Sequence, residues 1–444
     1  MQAVETTLLT IENAWTTARR GGHPLALWRL PKSTEKQLLI DLSDDERRGK
    51  LDLSESVPGF ALSPFINPDG QQTRLLRADI YFRFNAQYQV LVEETSPSAD
   101  ARRVLEFEER LHEQTVPTPP ELKSELPVPA NDLVESDLVP VDARFAESVR
   151  QATEAIQSGQ FQKVVLSRKK QVNLPPNFSV VSAFDRLCEA YPNAFVSAVS
   201  LPEEGTIWLG ASPETLVSVD VNDMFRTVAL AGTQSAFGAD GQLLAPVEVR
   251  WSHKEIEEQA LVSRYIIGCF KKIRLREYIE NGPKTVRAGN LMHLRTDYAV
   301  DTKAVNFPQL GTVMLDLLHP TSAVCGMPKA PALHFIQQHE NYDREWYSGF
   351  LGPVNIDGES HLFVNLRTMK IEVEVAPTAD TQSSGRRISL PSQALRPEVG
   401  ATATVATLYA GAGITEDSVP EREWRETELK CQTLLNVIGG ESNH

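Results

Sequence analysis

The chain has 444 residues, 41% of them hydrophobic and 23% charged, with a formal net charge of −15. That excess of acid argues against a nucleic-acid-binding protein, whose phosphate contacts need a basic face, and any anionic substrate must be captured by a local cationic pocket. No stretch approaches the roughly 18–20 uninterrupted apolar residues of a membrane helix, and the opening MQAVETTLLT lacks the features of a secretory signal, so a cytosolic location is expected.

In chain order, residues 1–115 read as mixed strand and helix, with PLALWRLP, QLLIDLS and ADIYFRFNAQYQVLVEE as strand-like runs. Val116 to Pro140 is rich in Pro and acidic residues without sustained periodicity, which predicts an extended connector and places the main sequence boundary near residue 141. Beyond it, FAESVRQATEAIQSGQ has helical amphipathicity and KVVLSRKKQV reads as a strand, followed by strands at NAFVSAVSL, GTIWLGAS and ETLVSVDV. Helices are predicted at SHKEIEEQALVSRYIIGCFKKI, PKAPALHFIQQHEN and REWRETELKCQTLLNVI. Strands come in runs between helices, which favours an α+β layered fold over strict βαβ alternation. Ala376 to Ala403 is polar and rich in small residues, and is expected to be a mobile insertion whose deletion preserves turnover. Cys188, Cys269, Cys325 and Cys431 show no metal-site spacing and read as free thiols in a reducing compartment.

Spacing alone says little about chemistry. Lys254 and Glu258 lie four apart in SHKEIEEQ, and Glu423, Glu426 and Lys430 lie three and four apart in PEREWRETELK. Such patterns are more often ion-paired helix surfaces than sites. The glycines of LYAGAGI (Gly411, Gly413) could offer backbone N–H groups to a carboxylate or form a tight turn between strand and helix. Dinucleotide, P-loop and zinc-protease motifs are absent.

The ordered set FQKVVLSR, LGASPETL, ALAGTQ, SHKEIEEQALV, LMHLRTD, LLHPTSAVCGMPKAPA, DREWYSGFLGPV, FVNLR and LYAGAGITEDSVPEREWRETELK spans Phe161 to Lys430. In this set the chain resembles the chorismate-utilising enzymes: isochorismate and salicylate synthases and the large subunits of anthranilate and aminodeoxychorismate synthase. The resemblance implies two stacked antiparallel sheets with helices packed outside, in one large α+β domain to which residues 1–140 contribute strands. Ammonia-using members carry glutamine where Lys163 stands, and aminodeoxychorismate enzymes carry a lysine at the place of Ala231. Salicylate synthases have threonine where this chain has Ala323. The resemblance therefore implies water as nucleophile, isochorismate as product and no glutaminase subunit; the oligomeric state is left open, with a monomer favoured.

It also implies the site. Lys163 would take a proton from water attacking ring C2, and Glu214 would protonate the departing C4 hydroxyl. Both must run against their resting ionisation, which calls for burial and, at the lysine, little compensating negative charge. Glu258 and Glu426 would hold Mg²⁺, with Glu423 and Glu255 acting through water. Arg367 would clamp one substrate carboxylate and Lys430 assist at the other, while Gly232, Thr233, His319, Ala323, Tyr347, Gly411 and Gly413 would line the substrate pocket. Isochorismate feeds menaquinone, siderophore and salicylate synthesis. The N-terminal third looks more like menaquinone-type synthases, whereas EWRETELKCQTLLNV also resembles siderophore-type enzymes.

Overall fold

The computed structural model describes residues 9–113, 141–238, 241–289, 291–373 and 403–438. The connector expected at Val116–Pro140, and all but the last residue of the insertion expected at Ala376–Ala403, lie outside the described residues.

Two antiparallel sheets make up the protein. The first has ten strands, ordered from edge to edge Gly326–Met327, Lys163–Asn173, Ala403–Ile414, Thr368–Val373, Thr206–Ser212, Phe195–Leu201, Leu25–Arg29, Lys36–Ile40, Ile80–Phe84 and Val90–Thr95. The second has eight, ordered Ile279–Ala288, Leu291–Asp301, Met224–Ser235, Thr215–Val219, Ser360–Val364, Phe350–Val354, Gly59–Ser63 and Arg74–Arg77. The N-terminal segment enters both sheets. Leu25–Arg29 pairs with Phe195–Leu201, and Gly59–Ser63 pairs with Phe350–Val354.

The central strands FVSAVSL and TIWLGAS are buried along their whole length. That suits strands covered on both faces, where continuous apolar runs replace alternation. On the inner face, large aromatics from the two sheets meet. Phe195 of one stacks on Phe363 of the other with ring centroids 4.1 Å apart, beside Trp28, Phe60 and Trp208. Truncating one such ring to alanine typically costs about 3–5 kcal/mol. On the outer face of the ten-stranded sheet, helices Ile11–Arg20, Ala101–Glu113, Val180–Ala190 and Pro420–Ile438 share a second core. Helices Ala143–Gln157, His253–Lys272, Leu310–Leu318 and Lys329–His339 pack in a third. The helix starts follow local chemistry: Asp142 accepts from the backbone N–H groups of Arg144 and Phe145, and Ser179 from that of Ser182. Among the described residues no helix is long and apolar enough to cross a membrane.

Twice the chain passes from one sheet to the other at neighbouring places. It leaves the ten-stranded sheet at Ser212, turns through Pro213–Glu214, and enters the eight-stranded one at Thr215. It returns through Asn365–Arg367, between Val364 and Thr368. The crossings are laced together: Val364 N donates to Glu214 O at 3.0 Å, Ala211 N to Arg367 O at 3.0 Å, and Ser212 Oγ to Val364 O at 2.5 Å. This lacing brings Glu214 and Arg367 to one cleft.

Candidate active site

The cleft, about 640 Å³ when the open space at its mouth is counted, has a lining that includes Glu214, Gly232, Thr233, Glu258, Ala323, Tyr347, Arg367, Gly411, Gly413 and Lys430. Residues scattered over two hundred positions thus share one wall-to-wall space, together with His293 and Tyr409, to which the motifs had assigned no role.

Glu214 is 3% exposed, and its carboxyl accepts from the Thr321 hydroxyl at 3.5 Å. Burial pushes its carboxyl up to about 8, against the opposing pull of Lys163, Lys430 and Arg295. The acid is therefore protonated at neutral pH.

Arg367 is 8% exposed and has φ +49°, a left-handed conformation that costs a non-glycine residue of order 1–3 kcal/mol and persists only where its surroundings hold it. Its guanidinium donates through Nη1 to Thr433 Oγ1 at 3.2 Å and through Nη2 to His293 Nε2 at 3.3 Å. Both partners are neutral. Burial and Arg367 itself hold His293 down to about 3, and its Nδ1–H donates to Gly232 O at 2.9 Å, which leaves Nε2 as an acceptor. Among the described residues no carboxylate forms an ion pair with Arg367, so a buried cation faces the cleft without a counter-anion. His293 escaped the sequence reading because its only signal was a lone imidazole within LMHLRTD, and its partners lie 61 and 74 positions away.

Lys163 opens its strand and is fully buried rather than reaching solvent, so it sits behind the cleft lining. Its Nζ donates to Glu258 Oε1 at 2.8 Å. The expectation of little compensating charge around this lysine is thus not met, because a helix-borne carboxylate is in contact with it. Burial works against ionisation of Glu258, yet Lys163, Lys254 and Lys430 outweigh it and hold that carboxyl below its ordinary value. Glu258 Oε2 accepts from Gly232 N at 3.3 Å. Gly232 has φ +67° at a bulge in the strand Met224–Ser235, and a Cβ there would come within 3.0 Å of Glu255 Cβ, so both conformation and helix approach require glycine.

Two expected assignments change. His319 is not part of the lining: its Nε2–H donates to Pro64 O at 3.0 Å and its ring stands edge-on to Phe350, which makes it a half-buried structural residue. Glu255 turns back to accept from Ser252 N at 2.8 Å and from Ser252 Oγ, the capping-box arrangement of a helix N-terminus, rather than toward a metal. LYAGAGI is not a turn but the inner end of the strand Ala403–Ile414. The Gly411 carbonyl accepts from Lys430 Nζ at 2.7 Å, and a Cβ on Gly413 would lie 2.4 Å from Glu258 Oε1 and 3.0 Å from Lys163 Cε. Glycine there provides room for the Lys163–Glu258 pair. Gly413→Ala should accordingly lower kcat/KM with little loss of melting temperature, and wild-type kinetics in that variant would show that the pair can move without consequence.

Glu423 and Glu426 come from helix Pro420–Ile438, and Glu426 Oε1 accepts from Lys430 at 2.7 Å. Glu423 is 1% exposed; its Oε1 accepts from Lys254 at 2.5 Å, while Oε2 is buried with no partner in hydrogen-bond geometry, although Ser418 lies beside the carboxyl. Burial, with Glu426 adding to it, pushes the Glu423 carboxyl up despite Lys254. Hard oxygen donors on two facing helices, one of them orphaned, suit Mg²⁺. Among the described residues no three such groups converge.

The sequence pattern of the chorismate binding enzymes matches residues 76–377 and 399–439. The chain belongs to the chorismate-binding enzymes. Among relatives of this family member, the isochorismate synthase EntC of Escherichia coli K12 is 28% identical over 311 residues, covering 69% of this chain and 70% of that one. The salicylate biosynthesis isochorismate synthase of Pseudomonas aeruginosa is 30% identical over 304 residues, covering 67% and 56%. In fold the chain is similar to MenF, the menaquinone-specific isochorismate synthase of Escherichia coli, with a TM-score of 0.68 at 21% identity, covering 98% of this chain and 92% of that one. It is also similar to anthranilate synthase component I of Streptococcus pneumoniae, with a TM-score of 0.57 at 18% identity, covering 98% and 82%.

Proposed function

We propose that this chorismate-binding enzyme is an isochorismate synthase, a cytosolic monomer that adds water at ring C2 of chorismate and expels the C4 hydroxyl, an overall isomerisation. The observation that carries this reading is the protonated, buried Glu214 in the same cleft as the uncompensated guanidinium of Arg367. Hydroxide is a poor leaving group, and an acid near pKa 8 still holds its proton at neutral pH when the C–O bond breaks. Arg367 and Lys430 supply two cationic anchors for a substrate with two carboxylates. Lys163 is the proposed base, and its Nζ, which donates to Glu258 Oε1, must be in the neutral amine form to accept a proton from water.

Ala231 in the lining, where an attacking lysine would stand, supports water as nucleophile, and no glutaminase partner is needed. Ala323 offers no hydroxyl where salicylate synthases carry threonine, which supports a reaction that stops at isochorismate. The names of the quoted sequence relatives support the same product. Glu258 and Glu426 would hold Mg²⁺, with Glu423 close by, and the bound ion would supply positive charge for the ring carboxylate. Isochorismate from this enzyme is proposed to enter menaquinone synthesis, a reading supported by the N-terminal third.

Incubation with chorismate and Mg²⁺, without ammonia, should yield isochorismate and no fluorescent salicylate, and EDTA should stop the reaction. Salicylate fluorescence at the rate of chorismate loss would replace the proposed product, and full activity in EDTA would remove the metal. Disrupting the gene should deplete menaquinone; loss of a catecholate siderophore with menaquinone intact would reassign the pathway.

A further inference from the structure

Lys254 is the second residue of helix His253–Lys272, one turn before Glu258. Its ammonium reaches across to the neighbouring helix and contacts Glu423 Oε1 at 2.5 Å. Each of the carboxylates proposed for the metal site meets its own ammonium group, Glu258 that of Lys163, Glu426 that of Lys430 and Glu423 that of Lys254. Two observations show that this arrangement is incomplete. The Glu423 carboxylate is 1% exposed and keeps one oxygen without a partner, a condition that favours a further positive group. The Lys254 side chain is 27% exposed, so it has solvent into which it can swing.

We propose that Lys254 is an internal stand-in for the divalent cation: it neutralises Glu423 in the metal-free enzyme and is displaced when the ion binds. The inference rests on the reading of Glu258, Glu423 and Glu426 as the cation site, and extends it to a residue that holds no metal itself. A divalent ion and an ammonium on the same carboxylates repel each other, so binding of one requires departure of the other. Lys254 thereby sets metal-free stability against metal affinity, and keeps buried acids paired until Mg²⁺ arrives.

Calorimetric titration with Mg²⁺ alone, on the full chain without substrate, tests this. Lys254→Met should bind Mg²⁺ at least roughly five-fold more tightly than wild type, at the lower end of typical site–site couplings. Lys271→Met, an exposed position in the last turn of the same helix, should match wild type and exclude a general charge effect. Metal-free Lys254→Met should also melt below wild type, with the deficit recovered by Mg²⁺. On the unsubstituted protein, an amine-reactive label read by peptide mass spectrometry should modify Lys254 faster in Mg²⁺ than in EDTA, with Lys271 unchanged; this arm stands even if the variant does not fold. Equal or weaker Mg²⁺ binding by Lys254→Met, or Lys254 labelling indifferent to Mg²⁺, overturns the stand-in. If neither wild type nor the variant binds Mg²⁺, the cation-site reading falls and takes the inference with it.

Discussion

Replacing Glu214 by glutamine should lower turnover on the order of 10²–10⁴-fold, the usual contribution of a positioned proton donor. The fold should survive, because the wild-type carboxyl is buried and already uncharged at neutral pH, so the amide changes neither size nor charge. The pH dependence gives a second reading. Glu214 donates only when protonated, so wild-type kcat/KM should fall as pH rises through about 8, and the residual activity of the glutamine variant should lack that limb. The stability sign follows from the same shift. The folded-state value lies above the ordinary 4.5, so the native state binds this proton more tightly than the unfolded chain. Wild type should therefore lose stability relative to the variant as pH climbs from about 4.5 to about 8, and the difference should be flat below and above that window. Lys163→Ala should show a comparable loss of turnover, and the double variant should be far less than multiplicatively worse if the two residues serve one concerted step. Normal turnover by Glu214→Gln in either direction would remove the acid from the scheme.

Arg367→Leu should raise KM for chorismate by on the order of 10²-fold or more, since truncating one partner of a buried charge-assisted contact costs about 2–5 kcal/mol. The guanidinium is aimed by two neutral groups, Thr433 and His293, and gives up no existing ion pair when the substrate arrives. Arg367→Lys should recover only part of the loss, because an ammonium cannot donate in the planar two-pronged geometry that suits a carboxylate. Removing the cation should also let the pKa of His293 rise from about 3, since Arg367 is one of the causes that depress it; imidazole resonances followed by NMR would report this without reference to activity. An unchanged KM in both variants would mean that the substrate carboxylate is held elsewhere.

Local information sufficed for much of the framework. Amphipathic spacing and the Asp142 cap mark the helix Ala143–Gln157, and short runs rich in apolar residues mark the central strands, because these signals lie within a few residues of each other. The ordered motifs from FQKVVLSR to PEREWRETELK likewise identified the family and placed Glu214, Arg367, Glu258 and Lys430 in one region. What each residue faces was decided only by tertiary structure. Glu255 and Glu258 are indistinguishable as members of KEIEE, yet one caps its own helix and the other meets Lys163 across 95 positions of chain. His319 and His293 each sit in a family-like motif, but packing against Pro64 holds the first away from the cleft, while a bulge at Gly232 and the crossing at Arg367 draw the second into it. The glycines of LYAGAGI offered two local explanations, whereas at Gly413 the operative reason is a third, the closeness of the Glu258 side chain from a facing helix. In each case the deciding contact joins groups distant in sequence, and its energy depends on burial and on a partner that no local pattern of residues can specify.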